Sequence, residues 1–234
     1  IVVCEDCDIE LTVNALITAA FSAAGQSCVA GARLIVHETV ADRVIDALVN
    51  RAHSIRIGDP RDPTTELGPL CTARQLEAVA AAVDAARAAG ARVLCGGERL
   101  PQTRGFFWPP TIIECDDDTL AVWREELFAP VLCVRRFREE ADAIALANAS
   151  RYHYASGVFT RDLGRAFRLM RAIQGGVFYL NTWRVVSPSA PFGGNRDTGW
   201  GREGGIESIQ DYTRPRTVWI NFGAGPAQDP FRMR

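Results

Sequence analysis

Residues 1–36 read IVVCEDCDIELTVNALITAAFSAAGQSCVAGARLIV, and this stretch decides the fold. Its first four residues are apolar and mostly β-branched, the composition of a short buried strand. Asp8 stands where a helix N-cap belongs, and positions 9–24 carry apolar residues at helical spacing among alanines. Gly25 can close that helix in a left-handed conformation. Positions 32–36 return to strand composition. Strand, helix and strand in succession imply a right-handed crossover to a parallel neighbour.

The same alternation continues outward. Positions 40–54 form an amphipathic helix, with Val40, Val44, Ala47 and Leu48 on one face. Positions 58–69 hold three prolines and two glycines and read as a loop. A helix at 72–89 is closed by Gly90, and a strand at 92–95 ends on Gly96-Gly97. Positions 108–114 read as a strand with prolines at its entry, where an edge tolerates them. Strands at 130–137, 155–160 and 177–181 alternate with helices at 139–148 and 163–173. The expected architecture is a three-layer α/β domain around a mostly parallel sheet, spanning residues 1–210. Positions 217–222 are strand-like with no helix after them, so they need an edge of their own sheet, another domain or another subunit to pair with. The Gly/Pro/Gln-rich residues 223–234 are expected to form a mobile tail.

Composition narrows the function. The chain has 234 residues, 47% of them hydrophobic, enough for a sizeable core in one or two domains. All 26 basic residues are arginine, against 28 acidic ones, for a net charge of −2. No basic field is available for a phosphate backbone, so nucleic acid is not an expected partner. The absence of lysine reads as the coding bias of a GC-rich bacterial genome, and it closes the Schiff-base route to covalent catalysis. No apolar run reaches the roughly 18–20 residues of a membrane span, and no secretory leader pattern is present. The chain opens on Ile1 rather than Met, as the interior of a longer protein would. Its seven cysteines are irregularly spaced. Cys4-x-x-Cys7 lacks a second pair at zinc spacing, so it is expected to be structural, with no metal, in a reducing cytoplasm.

Three segments could carry chemistry. Gly25-Gln26-Ser27-Cys28 puts a thiol at a helix-to-strand junction, where it could meet a substrate. His37, His53 and His153 are scattered and lack orienting motifs, so a Cys–His hydrolase is poorly supported. The alternative for Cys28 is a small buried hydrophobe. Glu125-Glu126-Leu127-Phe128-Ala129-Pro130 is a stiff turn into a strand. Glu126 could accept from sugar hydroxyls and Phe128 could face a flat ring, or the pair could be solvated carboxylates at a helix end. The run from Pro191-Phe192-Gly193-Gly194 to Gly201-Arg202-Glu203-Gly204-Gly205 places six glycines within thirteen residues. It does not follow the dinucleotide fingerprint and more naturally lines a pocket or interface, with Glu203 able to relay protons.

These segments, with Asn148, Gly157-Val158-Phe159-Thr160 and Asn181, occur in an order that resembles the catalytic half of the NAD(P)-dependent aldehyde dehydrogenase superfamily. The resemblance runs from Ile1 to about Phe222. It implies that Cys28 is the nucleophile that attacks an aldehyde, that hydride then passes to the nicotinamide of NAD or NADP, and that water releases the acid. It implies that the Cys28 N–H helps hold the oxyanion. Glu126 matches the residue on the nicotinamide ribose, Phe128 the one beside the nicotinamide, and Glu203 a second carboxylate near the nucleophile. Ser27, Val29, Thr182 and Trp183 fall at the substrate pocket. Residues 211–222 resemble an oligomerisation strand, implying a homo-oligomer, dimer or tetramer, acting on a small aldehyde. The cofactor-binding domain, the base and the oxyanion asparagine match positions upstream of Ile1. Alternatives are a truncated oligomerisation domain without turnover and a CoA-acylating semialdehyde dehydrogenase. Two departures stand out: Arg196 replaces the family's lysine, and Tyr152-His153-Tyr154 replaces Tyr-Gly-Leu.

Overall fold

A computed structural model describes residues 1–100, 105–223, 225 and 231–232. Seven strands build the main sheet: β1 (Val2–Val3), β2 (Arg33–His37), β3 (Arg92–Cys95), β4 (Thr111–Glu114), β5 (Val131–Phe137), β7 (Ala155–Phe159) and β8 (Val177–Leu180). Their order is β3-β4-β5-β2-β1-β7-β8, and every pair is parallel except β3 with β4. A separate ribbon pairs β6 (Tyr152–His153) with β9 (Asn195–Arg196). The helices are α1 (Ile9–Phe21), α2 (Glu38–His53), α3 (Ala73–Ala88), α4 (Ala121–Arg124), α5 (Glu140–Asn148) and α6 (Leu163–Ala172).

The two-residue period of the strands separates the helices into layers. Val3, Leu34, Val36, Leu132 and Val134 pack on one face with Val13 and Leu16 of α1 and Val44 and Leu48 of α2. Val2, Ile35, Val131, Cys133 and Val158 pack on the other with Leu76, Val79 and Val83 of α3, Trp123 of α4, Ala143 of α5 and Leu169 of α6. The register aligns Val2 with Ile35 and Val158, so the alternation is shared across β1, β2 and β7. The expected three-layer α/β sandwich is the observed one. No helix among the described residues is long and apolar enough to cross a membrane.

Four local features differ from the sequence expectation. Helix α1 stops at Phe21, because Ala23 and Ala24 adopt left-handed φ of 55° and 53°. Strand β4 begins only at Thr111, after Pro109-Pro110, whose nitrogens cannot donate to a ladder. Helix α4 and the β6–β9 ribbon were not foreseen. Positions 217–222 pair with no strand among the described residues, and Trp219 is 92% exposed. Most of the 223–234 tail lies outside the described residues.

The β1–α1 turn is held by an ionic clamp. Asp6 accepts from the Thr160 hydroxyl (2.8 Å), the Arg161 N–H (3.0 Å), the Asp162 N–H (2.9 Å) and Arg165 (3.3 Å). Arg165 also donates to Glu5 at 2.6 Å. Cys4, Glu5 and Asp6 bring their ligand atoms within 4.8 Å of one another, and the cation among them is the Arg165 guanidinium. Burial alone would raise the Asp6 carboxyl, but hydrogen bonds from Thr160 and the 161–162 backbone, with Arg165, hold it below its ordinary value. A depressed carboxylate stabilises above its unfolded value, and that contribution is lost as pH falls through the folded one. Thermal stability should therefore fall below about pH 4, and Asp6→Asn should lower stability near neutrality and flatten this acid arm. An acid arm identical in Asp6→Asn and wild type would rule the clamp out.

Candidate active site

Cys28 sits between α1 and β2 on a loop whose shape its own sequence would not choose. Ala23, Ala24 and Gly25 are three consecutive left-handed residues, the last at φ 69°. For alanine this conformation costs roughly 1–2 kcal/mol per residue. The loop is nonetheless over-determined. Gln26 Oε1 accepts from the Cys71 N–H at 2.9 Å, Ala30 N–H donates to Ser27 at 2.9 Å, and Gly31 N–H donates back to Ala19 in α1 at 3.0 Å. Gly25 lies so close to the 126–130 turn that a Cβ there would stand 2.1 Å from the Ala129 carbonyl oxygen. The Cys28 loop and the acidic turn are thus in direct backbone contact.

All seven cysteines are free, and only Cys28 and Cys71 are exposed. Burial pushes the thiols of Cys4 and Cys133 up to about 12, out of reach of neutral-pH chemistry. Cys28 opens on a cavity of about 350 Å³ that it shares with Glu126, Phe128, Tyr154 and Trp183. The structure therefore brings together four residues singled out from sequence: Cys28, Glu126, Phe128 and Trp183.

The two glutamates of the acidic turn have separate fates. The Tyr152 hydroxyl (3.0 Å) and Arg151 (2.9 Å) hold Glu125 below its ordinary value. Glu126 lines the cavity with an exposed side chain, and partial desolvation there raises its carboxyl above the ordinary value. Phe128 is 40% exposed on a left-handed backbone, φ 53°. Gln75 of α3 secures that conformation, donating its side-chain amide to the carbonyls of Leu127 and Phe128.

The other predicted positions take supporting places. Trp183 is only 7% exposed; its ring N–H donates to the Val29 carbonyl at 2.8 Å and its ring packs on Tyr179. It lines the cavity while pinning the residue after Cys28. The Val29 side chain is core, Ser27 borders a smaller recess beside Glu126, and half-buried Thr182 is not among the residues that line the cavity. Glu203 is exposed and exchanges both main-chain hydrogen bonds with Phe192, at 2.7 and 2.8 Å. Asn148 and Asn181 are backbone clasps, the first on Ala172 and Gln174, the second on Thr160.

Three contributors escaped the sequence reading. Arg33 lines the cavity, donates to the carbonyls of Leu146 and Ala147 at 3.1 and 2.8 Å, and stacks 4.6 Å from the Trp123 ring centroid. Burial lowers it to about 10. Its signal was an arginine inside an apolar strand. Gln75 gave no signal, because its partners are more than fifty residues away. Tyr154 stood out only as a departure from a pattern. Its ring meets Phe192 edge-on at 5.5 Å, and it lines the same cavity as Cys28. Burial, the hydrogen bond and charge of Cys28, and the charge of Glu203 push the phenol up to about 12.

The model of the aldehyde dehydrogenase family matches residues 1–218. The chain belongs to the aldehyde dehydrogenase family. It is 46% identical, over its whole length, to 48% of (Z)-2-((N-methylformamido)methylene)-5-hydroxybutyrolactone dehydrogenase from Acinetobacter baylyi. Among solved structures it is similar to PnpE from Pseudomonas sp. WBC-3, with a TM-score of 0.93 and 40% identity over 99% of this chain and 48% of that one. It is also similar to betaine aldehyde dehydrogenase from Staphylococcus aureus in complex with NAD+, with a TM-score of 0.87 and 32% identity over 96% and 46% of the two chains. The chain spans about half the length of the curated aldehyde dehydrogenases it matches.

Proposed function

We propose that the protein carrying this chain oxidises a small aldehyde to its carboxylic acid, with Cys28 as nucleophile and NAD or NADP as hydride acceptor. The observation that carries this reading is the exposed Cys28 thiol opening on the same cavity as Glu126 and Phe128. In this reading the Cys28 sulfur forms a C–S bond to the aldehyde carbon, the carbonyl electrons move to oxygen, and the Cys28 backbone N–H donates to that oxyanion. Loss of hydride leaves a thioester on Cys28, which water cleaves to acid and free thiol. Glu203, on the glycine-rich loop and not among the residues lining the cavity, is assigned the proton relay in this reading. NAD(P), when bound, supplies the hydride acceptor.

The residues present suit that cofactor. Glu126 offers an exposed carboxylate on the cavity wall to ribose hydroxyls, and Phe128 offers an exposed ring face fixed by Gln75. Residues 1–210 serve as the nucleophile-bearing domain and 211–222 as an oligomerisation segment of a homo-oligomer. The exposed, unpaired Val218, Trp219, Ile220 and Phe222 support that role.

The test is aldehyde-dependent formation of NADH or NADPH by the full-length protein, followed at 340 nm over aliphatic, aromatic and betaine-type aldehydes. We expect turnover by the full protein and none by residues 1–234 alone. No turnover by the full protein with any aldehyde, or turnover by the 234-residue chain alone, would overturn the reading.

A further inference from the structure

We propose that Arg151 is a positioning residue for the cofactor, clasping the acidic turn to the β6–β9 ribbon so that Glu126 is held in place on the cavity wall. The inference rests on the reading of Glu126 as the ribose-binding carboxylate. Arg151 immediately precedes β6, and its guanidinium meets three separate parts of the chain. It donates to Glu125 Oε2 in the acidic turn at 2.9 Å and to the Tyr152 hydroxyl in β6 at 2.6 Å. It also lies 3.8 Å from Asp197 Oδ2, just after β9. The Tyr152 hydroxyl donates in turn to the same Glu125 oxygen at 3.0 Å, so the three groups close a ring of hydrogen bonds. The guanidinium carbon stands 4.8 Å from the Tyr152 ring centroid, a cation–π contact that holds the arginine over that face.

The clasp matters because of what it joins. Glu125, Tyr152 and Asp197 line the cavity that Cys28 and Glu126 share, so the ring of bonds is built into its wall. The acidic turn is fixed on both sides of Glu126. Gln75 of α3 holds it at Leu127 and Phe128, and Arg151 and Tyr152 hold it at Glu125. A carboxylate fixed before the ribose arrives loses less freedom on binding than one on a loose turn. Arg151 is not among the residues that line the cavity, so it acts on a ligand through Glu125 and the turn. Lysine at this position would keep the charge but lose the planar fork that serves Glu125 and Tyr152 together.

The test is calorimetric titration of the full-length protein with NAD+ and with NADP+, which needs no aldehyde and no turnover. The side chains of Arg151 and Glu125 are 57% and 46% exposed, so water screens the pair and bounds the effect. Arg151→Ala should weaken binding of the preferred dinucleotide about fivefold, and Arg151→Lys about twofold. Glu126→Gln should weaken it as well, and adding Arg151→Ala to Glu126→Gln should cost little more, because the clasp works through Glu126. Iodoacetamide alkylation of Cys28 should be unchanged in Arg151→Ala, as it would not be if the whole cavity had loosened. Wild-type affinity in Arg151→Ala, an equal further loss in the Glu126→Gln background, or altered alkylation would each overturn the proposal. Wild-type affinity in Glu126→Gln would overturn the ribose reading together with it. Variants that bind as expected in a protein that oxidises no aldehyde would support the clasp and remove the dehydrogenase reading alone.

Discussion

On the proposed mechanism, Cys28→Ala in the full-length protein is expected to lower aldehyde-dependent NAD(P) reduction by at least about 1000-fold, because Cys28 is the one thiol among the described residues lining the cavity. Cys28 is exposed on its loop, so deleting its sulfur leaves no cavity in the core. Thermal unfolding should stay within about 1 °C of wild type, as for surface substitutions generally. Cys28→Ser should be nearly as inactive, since a hydroxyl is far less ionised than a thiol near neutrality. Steady-state rates and unfolding curves on the same preparations decide the matter. Activity above about a tenth of wild type in Cys28→Ala would remove Cys28 from the mechanism.

Gly25→Ala should be a strongly damaging single-methyl change. A β-carbon at Gly25 would sit 2.1 Å from the Ala129 oxygen, 2.3 Å from its carbonyl carbon and 2.7 Å from the Pro130 nitrogen, all main-chain atoms that cannot swing aside. The residue is also at φ 69°, which adds about 1 kcal/mol for any side chain. We expect a loss of about 3 kcal/mol or more, or a fall in melting temperature of about 6–12 °C for a chain of this size. The Cys28 loop and the acidic turn are pressed together at this point, so activity should fall with stability. Gly90→Ala is the control: it has φ 91° but nothing within 4 Å of its β-carbon, so it should show the backbone cost alone. Equal losses for the two variants would mean that contact with Ala129 is unimportant.

The fold was legible wherever a local pattern decides it. Val2, Val3, Leu34, Ile35 and Val36 announce buried strands, and Asp8 and Thr72 cap α1 and α3 as their side chains allow, accepting from Leu11 and Gln75. What escaped depends on distant partners. Ala23 and Ala24 are good helix formers, yet packing of Gly25 against Ala129 overrides propensity and ends α1 early. The β6–β9 pairing joins residues more than forty positions apart, and neither short strand has a period of its own. The site divides in the same way. Cys28 was visible from punctuation, and Glu126 and Phe128 from their turn. That Tyr154 departs from a family pattern was visible; that it lines the same cavity as Cys28 follows only from the fold.

The unpaired run at 217–222 has a practical consequence. Val218, Trp219, Ile220 and Phe222 are exposed beside main-chain donors and acceptors that meet no strand among the described residues. Such a run is a template for intermolecular β-pairing, and no lysine is present to interrupt it. Handled apart from a partner that covers this run, the chain should be aggregation-prone as its concentration rises, and a charged substitution at Trp219 should improve its solubility.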